Sequence, residues 1–387
     1  MAKWAAVLRD ELVNLLSSFI RIPSITGKEK ALSDRILEEL LSAGLSAEQD
    51  ADGNVVCRVP GRGGGAPADG RAGEGGKTVV VNGHLDTVPP APGWEGDPFA
   101  PEVRGERIFG LGSTDMKGGL AVMVALAKRV RPKLGVAFAF TVSEEGGATS
   151  LRNGARTFTE THDFDYAITC EPTYDDPTGR LKLGVGCQGR SIALITVRGK
   201  ATHSAAYDQG VNAIYRAVPV IQRVEARADA LQPVRVAPGI TVKPALSVTV
   251  VRAGEASNAI PAECLLTIDR RLAPGEDFET FGRELADFTA GVEASVEELG
   301  GSLPVLANLR GPLVSLAEGI LRRRFAAVDY YFNRGRVDLS YFSRKTPEVL
   351  ALGPGIISKP HQANECASIP ALLTTYEVLK ELLESLQ

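Results

Sequence analysis

Histidine, paired cysteine, basic runs and long apolar stretches are all scarce in this 387-residue chain. No segment reaches the roughly 18 uninterrupted apolar residues that a membrane-spanning helix requires. The N-terminal MAKWAAVLRDELVNLLSSFI carries Arg9, Asp10 and Glu11 inside its apolar pattern and lacks a small-residue cleavage site, so it does not read as a signal peptide. No Lys/Arg-rich run offsets the net charge of −4, which excludes a long-range pull on nucleic acid or acidic lipid. The five cysteines (Cys57, Cys170, Cys187, Cys264, Cys366) are odd in number, far apart and free of CxxC spacing. That pattern argues against a disulfide framework and for buried thiols in a reducing cytoplasm.

What remains is an ordinary globular composition, 44% hydrophobic and 23% charged, in a chain long enough for about two domains. Apolar residues at helical spacing predict two opening helices, over 4–20 and 28–43. A strand over 54–59 follows, then GRGGGAPADGRAGEGG, with eight glycines in sixteen positions, which reads as a flexible surface loop. Beyond it the pattern alternates. Residues 77–81, 135–142 and 166–169 are apolar runs of the kind buried on both faces of a sheet, and 118–130 reads as a helix.

Residues 189–300 follow another order. Strand-like 191–197, helical 210–227, strand-like 246–251 and 264–271, and helical 278–288 give the β-α-β-β-α-(β) succession of a ferredoxin-like unit. A strand over 351–355 and a helix near 371–386 return to the first pattern. The expected architecture is α/β. A catalytic domain with a mostly parallel, helix-flanked sheet (1–187 and 302–387) is interrupted by an inserted ferredoxin-like α+β domain (188–301).

The acidic and imidazole residues gather at strand ends. His84, in NGHLDTVP, stands just past a buried strand, where ligands bind in open α/β sheets. Its His-x-Asp spacing lets Asp86 support the imidazole. Asp115 follows the glycine-dense FGLGST and precedes a helix; the segment has neither a P-loop lysine nor GxGxxG. Glu144 and Glu145 stand together after the strand 135–142, where two carboxylates repel unless a cation is near. Glu171 in ITCEPT and His361 in KPHQANE also follow strands. Each alone reads equally well as a structural histidine, a helix N-cap or a solvated loop acid. Together they put two histidines and several acids at ends that converge in space.

From NGHLDTVP through FGLGSTDMKGG, SEEGG, TCEPT and KPHQANE, the sequence resembles the zinc amidohydrolases that include acetylornithine deacetylase, succinyl-diaminopimelate desuccinylase, aminoacylase and glutamate carboxypeptidase. The resemblance implies two zinc ions per chain, with cobalt or manganese able to substitute. His84, Asp115 and Glu171 would hold one ion, and Asp115, Glu145 and His361 the other. Glu144 would be the general base and Asp86 the support for His84. His203, in RGKATHSA of the insert, would act across a homodimer interface on the developing oxyanion. Asn258 and Arg271 match the family's substrate-binding hairpin, with Arg271 suited to a substrate carboxylate. His162 has no motif around it and reads as structural.

Two departures bear on substrate. GCQGRSI stands where desuccinylases carry paired arginines, and Gly335-Arg336-Val337-Asp338 replaces the common Gly-Gly-Thr-Asp. The expected activity is hydrolysis of an N-acyl amino acid; a dipeptidase or glutamate carboxypeptidase is the alternative within the family. A non-catalytic small-ligand binder is a third reading, disfavoured by the complete ligand set.

Overall fold

The computed structural model describes residues 2–62, 77–146 and 153–387, so most of the glycine-rich loop expected over 61–76 lies outside the described residues. The chain divides into two compact units. One comprises residues up to Gly186, Leu306–Tyr331 and Val337–Gln387; the other, Cys187–Val305 and Phe332–Arg336.

The first unit is built on four parallel strands, Gly135–Thr141, Thr78–His84, Tyr166–Asp175 and Val349–Ile356, hydrogen-bonded in that order. The register sets Val81 against Phe138 and Ile168, and Ile168 against Leu350. These runs lack polar alternation because both of their faces are covered, and nearly every residue in them is buried. Ser46–Gln49 and Val55–Val59 extend the sheet antiparallel to Gly135–Thr141. The SAEQ strand escapes prediction because its residues have little β preference; the pairing supplies what the sequence does not.

The helix Gly118–Ala127 is buried at every position, as its uniformly apolar GGLAVMVALA requires. It packs against the N-terminal helix Ala2–Ile20 and the C-terminal helix Ile369–Ser385. The latter is capped by Ser368, whose hydroxyl accepts from the Ala371 amide. Because the four central strands run the same way, their carboxyl ends share one edge of the sheet. Every element carrying a predicted metal ligand arrives at that edge.

The second unit is a four-stranded antiparallel sheet in the order Ala245–Ala253, Glu263–Leu272, Gly189–Arg198, Ala294–Ser302. Burial alternates strictly along Glu263–Leu272, the two-residue period of a sheet covered on one face. Cys264, Leu266 and Ile268 join Val220, Val224, Phe281 and Leu285 of the helices Ala213–Ala230 and Phe278–Thr289 in one core. Phe332–Arg336 belong to this unit rather than to the first, as the sequence boundaries have it, because Phe332 packs with Val236 and Val242.

Candidate metal centre

His84 ends its strand with the imidazole 1% exposed, and Nδ1 lies 2.9 Å from the main-chain carbonyl of its neighbour Asp86. That contact leaves Nε2 facing outward, 3.1 Å from Asp115 Oδ1 and 3.9 Å from Glu171 Oε1. The Asp86 carboxylate stands beside the same nitrogen, with Oδ1 3.6 Å from Nδ1 as an ion pair. It also accepts the backbone N–H groups of Glu144 (3.0 Å) and Glu145 (2.9 Å) and the Thr26 hydroxyl (2.8 Å). Asp86 therefore braces the two glutamates through its carboxylate, and the histidine through both its carbonyl and its charge. The physical reason is proximity, because the peptides leaving Gly135–Thr141 present two N–H donors to the same buried acid.

Asp115 is delivered by the turn 112–117. Gly112 sits at φ +77, and a Cβ there would lie 2.6 Å from Thr87 Cγ2, so glycine is required twice over. The buried Lys117 Nζ donates to the carbonyls of Phe19 (3.0 Å) and Ile22 (2.9 Å), tying the turn to the end of the N-terminal helix. Burial pulls this ammonium down to about 7. The Asp115–Met116 peptide is cis.

On the other side His361 Nε2 lies 2.8 Å from Glu145 Oε1 and 3.7 Å from Asp115 Oδ2. His361 and Ser143, the residue preceding Glu144, both hold φ of +61°, an uncommon conformation for non-glycine residues that concentrates at functional sites. Thus the two oxygens of Asp115 face different histidines. One ligand atom each from His84, Asp115 and Glu171 lies within 4.8 Å of the others, and so it is for Asp115, Glu145 and His361. His84, Glu144 and Glu145 make a third such group.

The electrostatics fit cations. Burial and then the Asp115 charge push Glu171 up to about 8, and burial likewise raises Glu145 against the opposing pull of His361. Burial alone would lower the His84 imidazolium, yet its bonds to the neighbouring acids, Asp115 first, hold it well above the usual value. The hydrogen bond to Glu145 carries His361 up to about 9. Carboxylates crowded in this way need positive charge, which protons supply in part and divalent ions supply in full. Two imidazoles and three carboxylates without thiolate suit zinc and its neighbours. Cys170, beside Glu171, has its thiol pushed far up by burial and offers no thiolate.

The predicted residues of the insert form no part of this cluster within the first unit. His203 is exposed, pairs in a short ladder with Ala259, and its Nδ1 accepts from the Ala205 amide at 3.1 Å. Ser204 N–H donates to the Asn258 carbonyl, so His203 and Asn258 share one corner of the second unit. Arg271 is ion-paired with Asp269 at 2.9 Å, on the sheet face away from the buried Arg270. His162 stacks on Phe158 at 4.1 Å, as a structural residue does. Glu365, which no motif singles out, is buried and bonded to three backbone N–H groups of the Asp115 turn. Burial pushes its carboxyl up to about 7 against those donors. The available signal was an acid standing directly before the apolar Cys-Ala of a buried strand.

Convergent acids and imidazoles at the carboxyl edge of such a sheet define a protein with a candidate metal centre. A family model for peptidase family M20/M25/M40 matches residues 80–385, and the chain belongs to that family. It is 28% identical to a succinyl-diaminopimelate desuccinylase of Xanthomonas campestris pv. campestris, over 97% of this chain and 100% of the relative. It is 30% identical to an acetylornithine deacetylase of Salmonella paratyphi B, over 96% of both chains. Its fold is similar to that of a crystallised tripeptidase from Staphylococcus aureus, with a TM-score of 0.75 at 21% identity, over 97% of this chain and 98% of that one.

Proposed function

We propose that this chain is a two-zinc amidohydrolase that removes the acyl group from an N-acyl amino acid, the reaction named for its deacetylase and desuccinylase relatives. The observation carrying this reading is Asp115, whose two carboxylate oxygens address two separate histidine-acid groups. His84 and Glu171 would hold an inner ion and Glu145 and His361 an outer one, with Asp115 common to both groups. Divalent ions held by these residues would supply Lewis-acid chemistry toward an amide carbonyl and a water. Cobalt or manganese would serve the same donors.

Glu144 is the proton carrier. It is buried at the centre's edge, and its backbone is fixed by Asp86, so its carboxylate is poised to take a proton from water and return it to the leaving amine. His203 stabilises the oxyanion in the partner's site of a homodimer, and Asn258 and Arg271 bind substrate. The dimer reading is supported by the edge strand Ala245–Ala253 with its exposed Val251, and by the exposed Tyr215 on the adjoining helix. All five cysteines are free and buried, and no helix among the described residues is long and apolar enough to cross a membrane; we infer a cytoplasmic enzyme.

The test is a substrate panel with added zinc or cobalt: N-acetylornithine, other N-acyl amino acids, succinyl-diaminopimelate and dipeptides. Turnover of the acylated amino acids above dipeptides is the expected outcome. A preference for dipeptides would make the enzyme a peptidase, and zinc binding without hydrolysis of any amide would make it a binder.

A further inference from the structure

Glu365 has no assigned part in the centre, yet it is 2% exposed and placed beside it. Its carboxylate accepts three backbone N–H groups of one turn: Gly112 at 2.9 Å on one oxygen, Thr114 at 2.7 Å and Asp115 at 3.0 Å on the other. Its own carbonyl accepts from Gly110 N–H at 3.0 Å, and the Thr114 hydroxyl donates to the Cys366 carbonyl at 2.6 Å. Buried amides demand acceptors, so this turn keeps its shape only while the carboxylate is there. One bond reaches the amide of Asp115 itself, which fixes the direction in which that side chain leaves the backbone. The same short segment carries His361 four residues upstream, through two left-handed positions, His361 and Asn364.

We propose that Glu365 is a positioning residue that locks Asp115 into its bridging orientation and couples it to His361, so that the outer cation position exists only when both are seated. The inference rests on the two-cation reading. It assigns Glu365 no contact with substrate and no proton to carry. Replacement by glutamine keeps one oxygen, enough for Thr114 and Asp115 N–H, and turns an NH2 donor toward Gly112 N–H. Replacement by alanine removes all three acceptors. Changes behind a metal ligand typically cost roughly 10–100-fold in metal affinity. Glu365→Gln should therefore weaken the second ion by about tenfold and Glu365→Ala by about 100-fold, with the first ion less affected.

The experiment titrates metal-depleted wild type and both variants with Co2+ alone, following the visible d–d absorption and the number of ions bound; thermal unfolding is recorded on the same samples. The expected result is two ions in wild type, and in Glu365→Gln a weaker second step with an altered absorption envelope, graded further in Glu365→Ala. If Glu365→Ala does not fold, Glu365→Gln decides alone. A Glu365→Gln protein that melts lower but keeps both affinities and the wild-type spectrum overturns the proposal and leaves a purely structural residue, as does one unchanged in every respect. A wild type binding fewer than two ions overturns the two-cation reading, and this proposal with it.

Discussion

The two halves of the centre are built differently. The inner half hangs on secondary structure: His84 ends one central strand and Glu171 lies within another, with side chains 1% and 6% exposed. The outer half hangs on loops, and His361 is 51% exposed on a backbone held in the left-handed region. Rigid strands place ligands more reproducibly than loops do, and burial keeps competing water away. The inner position should therefore be the tighter one and the outer position the exchangeable one. Asp115 belongs to both, which is why so many contacts converge on its turn.

The largest effect should come from the residue the halves share. Asp115→Ala should release both ions and lower turnover by more than about 10^3-fold, beyond the roughly 10–100-fold typical of changes behind a ligand; metal analysis and kinetics check it. Glu144→Ala should retain both ions and still lose about 10^2–10^4-fold in kcat if Glu144 carries the proton, as proposed, and is not a ligand. Loss of metal from that variant would move Glu144 among the ligands.

The pair His84→Ala and His361→Ala tests the asymmetry directly. His84→Ala should abolish the tight site, whereas His361→Ala should keep one ion at near wild-type affinity and weaken the other by on the order of 100-fold, as isothermal titration would read. Equal losses would break the comparison. The smallest effect is expected at Cys170→Ser, beside Glu171, which should leave ion affinities within about twofold because a thiol this deeply buried is not a ligand.

Much of this is legible in the sequence. Apolar runs without alternation marked the central strands, because only a strand covered on both faces tolerates them. The acids and imidazoles after those runs marked the edge, because parallel strands bring their carboxyl ends together. The part that escaped was second-order hydrogen bonding. The spacing of His84 and Asp86 suggests a carboxylate–imidazole pair, but not that the same carboxylate also accepts the amides of Glu144 and Glu145. Nothing local in the sequence announces this second use of one buried acid. Glu365 escaped for the same reason, since its partners stand some 250 positions away in the chain. The SAEQ strand was invisible because its structure comes from pairing alone.

The central claim is that Asp115 bridges two cations, and X-ray diffraction with anomalous scattering at the zinc edge, on crystals grown with zinc, addresses it most directly. The account predicts two peaks roughly 3.5–4 Å apart, one beside His84 and Glu171, the other beside Glu145 and His361, with one Asp115 oxygen on each. A single peak, or two that leave Asp115 uncoordinated, would contradict it.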